Sequence, residues 1–114
     1  MIQSIELREI RLPLIHYFET SFGRTTERRI VLARVSDADG AEGWGEFTAG
    51  EGPFYSDEWT DSGWDTLCEF LGPMLLSKKF DSASGVFAAR GTTGRPVCIS
   101  EVWMCSRWER SRIL

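Results

Sequence analysis

Five acidic side chains fall close together in this chain, Glu51, Asp57, Glu58, Asp61 and Asp65, and grouped carboxylates are how proteins commonly hold a divalent cation. These five are spread over a loop and the start of a helix, where they are expected to solvate the surface and favour the helix amino terminus instead. Arg28-Arg29 has the chemistry to orient a carboxylate, but at a loop-to-strand junction it is expected to pair with Glu27 or Glu19. Trp44 and Glu46 share one face of a strand and read as scaffold, a packed ring beside a rim carboxylate. His16 is the only histidine and cannot complete a metal cluster, and beside Tyr17 next to a strand end it reads as polar surface rather than as a general base. Cys68, Cys98 and Cys105 are odd in number and include no CxxC pair, which argues against a disulfide framework or a zinc site. No glycine-rich phosphate cradle is present. The residues therefore offer no catalytic group and no metal site.

A chain of 114 residues is the size of one domain, and its 42% hydrophobic content is enough to build a core. The net charge of −4 gives no basic surface for neutralising phosphates, so no nucleic-acid partner is expected. No apolar run reaches the roughly 20 residues that span a bilayer, and the first residues are too charged for a signal peptide, so the expectation is a cytoplasmic protein with no membrane partner. Charge is uneven along the chain. Residues 1–89 hold eight Lys and Arg against fifteen Asp and Glu, whereas residues 90–114 hold five Arg against two Glu. The composition changes near Arg90.

The elements that position these residues follow from periodicity. Apolar residues at Ile5, Leu7, Ile10, Leu12 and Leu14 alternate with one slip, which predicts a strand over 2–14 closed by Pro13. Residues 18–28, rich in Thr, Ser and Gly, predict an exposed loop. A second strand is expected over 29–36, a hairpin turn at Asp37-Ala38-Asp39-Gly40, and a third strand over 41–48, with Gly43 and Gly45 marking a bulge or close backbone approach. Residues 49–54 read as loop. A helix is expected from Glu58 to a stop at Gly72-Pro73, then a short apolar turn over 74–76, then a helix capped by Asp81 or Ser82. The fold class is α+β, a three-stranded antiparallel meander followed by helices. Residues 97–114 show no clear period.

Several motifs then agree in order and spacing: Leu7 to Pro13, Phe18-Glu19-Thr20-Ser21-Phe22-Gly23, Gly43-Trp44-Gly45-Glu46 and Gly52-Pro53-Phe54-Tyr55. Together they resemble the amino-terminal capping domain of the enolase superfamily, of the mandelate racemase and muconate lactonizing enzyme type, in its o-succinylbenzoate synthase and N-acylamino acid racemase branch. The resemblance runs over 1–91 and ends near Gly91, which leaves 92–114 as a divergent tail, a frameshifted segment or the end of a gene fragment, the last two being favoured.

The resemblance implies that the loop after strand one and the loop after strand three form lids over a catalytic (β/α) barrel. Phe18 and Phe22 match the aromatics of the first lid and Gly50 and Tyr55 match positions in the second, so these four are the expected substrate-binding residues. Ser21, Arg24 and Tyr55 would add polar contacts, and the alternative is that both phenylalanines pack beneath their loop. The family's lysine bases and Mg²⁺ ligands lie on the barrel, which needs roughly 200 or more residues that are absent here. The expectation is a specificity lid, from menaquinone biosynthesis (dehydration) or from racemisation, that is inactive alone and binds no cofactor itself, with Mg²⁺ expected in the full-length enzyme. A small-molecule carboxylate would be met only with a barrel, and a homo-oligomer is left open. The competing expectations are a non-enzymatic module that binds another protein through the bare lid surface, or a nonfunctional fragment.

Overall fold

A computed structural model describes residues 1–90, 99–100 and 108–113. The boundary expected at Gly91, and Cys98 and Cys105, lie outside the described residues. The element order is β1 (Ile2–Thr20), β2 (Gly23–Asp37), β3 (Glu42–Phe47), α1 (Thr60–Thr66), a π-helical turn (Leu67–Leu71), α2 (Gly72–Ser77), α3 (Ala83–Arg90), β4 (Ile99–Ser100) and β5 (Trp108–Ile113). The expected antiparallel meander of β1, β2 and β3, followed by helices, is present. It forms the middle of a five-stranded sheet ordered β4-β3-β2-β1-β5.

The sheet owes its two faces to the alternation of side chains along each strand. Ile5 and Leu7 stand opposite Val35 and Ala33, and Val31 stands opposite Phe47. This face is covered by Trp64, Leu67, Cys68 and Leu71 from α1 and the π turn, and these residues make the main core. Ile10, Ile30 and Leu32 form a second, smaller cluster with Leu12 packed against it, and these residues occupy the alternate positions of β1 and β2. The slip in the β1 pattern therefore has a packing cause. The β1–β2 register is continuous from Ser4 to Pro13, and the strand serves one core with Ile5 and Leu7 and the other with Ile10 and Leu12.

Four expectations are corrected. Pro13 does not close β1: the strand continues to Thr20, with a register irregularity between Pro13 and Phe18 where the missing proline N–H interrupts the ladder. The loop expected over 18–28 is mostly a hairpin, because Phe18, Glu19 and Thr20 pair with Thr25, Arg24 and Gly23. Gly43 marks neither a bulge nor a close approach, since β2 and β3 pair without a shift from Val31–Phe47 to Ser36–Glu42 and a Cβ at Gly43 would meet nothing within 4 Å. Gly72-Pro73 does not stop the helix. Proline cannot donate to the carbonyl four residues back, and the chain accommodates this with a π turn, in which the Gly72 amide reaches the Leu67 carbonyl, before continuing as α2.

The turn expected at Asp37–Gly40 forms, with the Gly40 amide donating to the Asp37 carbonyl at 3.1 Å. Ser82, rather than Asp81, sits at the head of α3, its hydroxyl accepting the Gly85 amide at 3.3 Å. Residues 97–114 show no sequence period, yet contain β4 and β5. Both are edge strands, whose pairing is made by backbone groups and needs no side-chain pattern. Among the described residues no helix is long and apolar enough to cross a membrane.

Candidate functional site

The β1–β2 hairpin carries the first pair of candidate residues to its far end. Phe18 pairs with Thr25 near the tip, and Phe22 lies in the two-residue turn between the strands. The Phe22 amide donates to Thr20 Oγ1 at 3.2 Å, and Gly23 follows at φ 142°, a conformation that side chains with a Cβ rarely adopt. The tip is thus shaped by its own chain. Phe18 and Phe22 are 60% and 76% exposed, so neither packs beneath the hairpin. Arg24 is held at the same end by Glu19 at 3.3 Å and by the face of Tyr17, whose ring centre is 3.9 Å from the guanidinium carbon.

The second pair lies on the segment between β3 and α1. Tyr55 is 94% exposed and Phe54 beside it is 78% exposed. Gly50 plays a different part from Tyr55. Its carbonyl accepts the Thr60 amide at 3.0 Å and the Thr60 hydroxyl at 3.2 Å, so residues 51–59 form a loop closed at its neck. Thr60 is fully buried, and its hydroxyl also lies 3.3 Å from the Arg29 carbonyl on β2. Ser62 fixes the entry to α1 by accepting the Trp59 amide at 3.0 Å.

Arg29 joins the two segments. Its Nε donates to Glu9 of β1, its Nη2 lies 2.6 Å from Asp61 of α1, and its Nη1 lies 3.4 Å from Glu51 at the start of the closed loop. Burial opposes the charge on the guanidinium, but the hydrogen bonds it donates to Glu9 and Asp61 outweigh this and hold the Arg29 pKa above its ordinary value. Glu9 is itself buried, as a carboxylate can be only when paired. The expected partners of Arg29 are engaged elsewhere: Glu27 binds Arg11 at 2.9 Å and Glu19 binds Arg24. Glu51 and Asp61, expected merely to solvate the surface, are two of the three carboxylates around Arg29.

The sequence reasoning missed this cluster although a signal was present. Ile5, Leu7 and Glu9 occupy successive positions on one face of β1, and a carboxylate following two buried aliphatics requires a cation from a neighbouring strand. The opposite face of the sheet holds Trp44, which is half exposed and lies 5.7 Å from the Arg34 guanidinium, and is not the packed ring expected. Arg34 in turn binds Glu6 at 2.9 Å. His16 is exposed on β1, and Cys68 is buried in the main core. Among the described residues no three His, Cys, Asp or Glu side chains converge as metal ligands.

No family model matches the sequence. The chain is 42% identical over 77 residues to an o-succinylbenzoate synthase of Geobacillus kaustophilus, covering 68% of this chain and 20% of the relative. It is 38% identical over 85 residues to an N-succinylamino acid racemase of an Amycolatopsis species, covering 75% of this chain and 23% of the relative. Among solved structures, it is similar to a member of the enolase superfamily from Enterococcus faecalis V583, with TM-score 0.65 and 35% identity over 77% of this chain and 25% of that one. It is also similar to a muconate lactonizing enzyme from Pseudomonas fluorescens, with TM-score 0.74 and 29% identity over 82% of this chain and 25% of that one. The chain thus spans about a fifth of the length of the curated relatives it matches.

Proposed function

Since the chain belongs to the enolase superfamily, matching the amino-terminal part of its o-succinylbenzoate synthase and N-acylamino acid racemase branch, we propose that it forms the substrate-specificity lid of such an enzyme. The observation that carries this reading is the placement of Phe18, Phe22 and Tyr55. All three are large aromatics on two projecting segments, and none belongs to either hydrophobic cluster. Aromatic rings bury much apolar area at small rotamer cost, which suits contact with a benzoate ring or an N-acyl group. Gly50 contributes through its backbone, by fixing the neck of the second loop.

On this reading the lid unit is residues 1–91, with 92–114 appended to it. The lid excludes water and selects the variable part of a small carboxylate substrate, whereas proton transfer and Mg²⁺ belong to a barrel domain. The 114-residue chain by itself then has no turnover. Dehydration to o-succinylbenzoate for menaquinone biosynthesis and racemisation of an N-succinylamino acid are both accommodated, because the two reactions differ in pocket detail more than in the lid's architecture.

The test is a chimera in which residues 1–90 replace the matching segment of the Amycolatopsis racemase. Phe18→Ala, Phe22→Ala and Tyr55→Ala should each shift kcat/KM between two N-acyl substrates by about tenfold, the value of one lost aromatic contact, while metal affinity stays constant. Unchanged substrate preference in all three variants would remove the lid reading. Metal-dependent turnover of either substrate by the pure 114-residue chain would remove the claim that it is inactive alone.

A further inference from the structure

Resting on the lid reading, we propose that Arg29 is a positioning residue that sets the placement of the second lid loop relative to the stem of the first. The loop of residues 51–59 is closed by two hydrogen bonds from Thr60 to the Gly50 carbonyl. Arg29 binds the residue that follows each partner at that neck: Glu51, directly after Gly50, and Asp61, directly after Thr60. One guanidinium therefore spans both strands of the neck. Its remaining contact is to Glu9, across the pair of strands that continues outward as the Phe18–Phe22 hairpin.

The chemistry of the side chain suits this role. A guanidinium presents five N–H donors in a rigid planar fork, so it can bind three carboxylates in fixed directions, whereas an ammonium on a flexible stem cannot. The three arms differ in strength. The side chains of Arg29 and Glu9 are 13% and 5% exposed, and those of Asp61 and Glu51 are 50% and 51% exposed, but Asp61 lies at 2.6 Å and Glu51 at 3.4 Å. The Glu9 and Asp61 arms anchor the fork, and the Glu51 arm holds the loop to it loosely. A loop that opens for substrate and closes over it is served by such an asymmetric tether, with its weak arm on the loop and its strong arms on the helix and sheet.

The experiment measures amide hydrogen exchange by NMR on the 114-residue chain with no substrate present. The reporters are the Thr60 amide, which closes the loop neck, and the Phe54 amide, which bonds the Gly52 carbonyl within the loop. The Val31 amide in the central sheet serves as the control. Glu51→Gln should speed exchange at Phe54 by about threefold, as expected for one exposed ion pair, with Val31 exchange and the urea midpoint unchanged. Arg29→Met should speed exchange at both Thr60 and Phe54 by at least about tenfold, and Arg29→Lys should restore less than half of that protection on a logarithmic scale.

Equal acceleration at Val31 and Phe54 in Glu51→Gln would show a merely structural role and overturn the proposal. So would full restoration by lysine, or no change at Phe54 in Glu51→Gln. Should Arg29→Met fail to fold, Glu51→Gln still decides, since Glu51 lies at the surface. Failure of the lid reading would register elsewhere, in the substrate preference of the chimera, and leaves these exchange rates unaffected.

Discussion

A methyl group added at Gly63 tests the packing between α1 and the sheet directly. A Cβ at this position would lie 2.1, 2.4 and 2.6 Å from three carbons of the Phe47 ring. Carbon atoms prefer separations of about 3.5–4.0 Å, so the ring must recede by more than about 1 Å. It has nowhere to go, because Phe47 is 3% exposed and its core neighbours include Val31, Trp64 and Leu67. Nor can α1 lift freely, since Thr60 and Asp61 tie its first turn to Gly50 and Arg29. Overpacking of this kind costs about 1–3 kcal/mol, while replacing glycine by alanine within a helix returns about 1 kcal/mol. With a displacement this large the upper part of the range applies, which leaves Gly63→Ala destabilised by about 1–2 kcal/mol, or roughly 5–15 °C in Tm for a domain of this size.

The assay is urea and thermal unfolding of Gly63→Ala, Phe47→Ala and the double variant, followed by circular dichroism. Removing the ring leaves space for the new methyl group. In the Phe47→Ala background Gly63→Ala should therefore be neutral or stabilising by up to about 1 kcal/mol, so the two substitutions should couple strongly and favourably. Equal stability of Gly63→Ala and wild type would refute the reasoning, and so would the same penalty in both backgrounds.

Leu7→Ala should cost about 2–5 kcal/mol, because Leu7 is fully buried at the centre of the main core, and the shift of the urea midpoint measures it. Thr60→Val keeps the shape of the side chain but removes its hydroxyl. The cost should be about 0.5–1.5 kcal/mol by urea unfolding, because the Gly50 carbonyl retains the Thr60 amide. The Asp37 carboxyl is held below its usual range, first by its hydrogen bond to the Met1 amino group and next by the Ala38 amide. A depressed carboxylate stabilises the fold above its ordinary pKa and loses that contribution as pH falls through the folded value. Asp37→Asn should therefore flatten the fall in stability below about pH 4, checked by urea midpoints measured across that range.

The meander was legible because β1 alternates, because β2 carries the aliphatic and β-branched residues Ile30, Val31, Leu32 and Val35, and because Asp37–Gly40 has turn chemistry that returns the chain as β3. The extension of β1 past Pro13 was hidden for a physical reason. Phe18–Gly23 has the composition of a loop, and its pairing comes from backbone hydrogen bonds that side-chain pattern does not report. The π turn was likewise read as a stop, since Pro73 signals a missing donor but not how the helix absorbs it. Exposure of Phe18, Phe22 and Tyr55 could not be derived from residue type, because phenylalanine is more often buried. The spacing of Ile5, Leu7 and Glu9 signals that Glu9 needs a cation but not which one, because the Arg29 cluster joins residues as far apart as 9 and 61.

The residues that build the core and those proposed to meet substrate are different in this chain. The main core joins Ile5, Leu7, Val31 and Phe47 of the sheet to Trp64, Leu67, Cys68 and Leu71, and the smaller cluster adds Ile10, Ile30 and Leu32. Phe18, Phe22 and Tyr55 contribute to neither, so their replacement should leave stability within about 0.5 kcal/mol while altering whatever surface they meet. A scaffold divided in this way can keep one fold while its projecting aromatics change. On the lid reading, that division would let similar amino-terminal segments serve relatives named as a synthase and as a racemase. It also explains why the ionic cluster lies between the two regions. A partly buried arginine bound to Glu9 on one side and to Asp61 and Glu51 on the other transmits the rigidity of the sheet to a loop that has no core of its own.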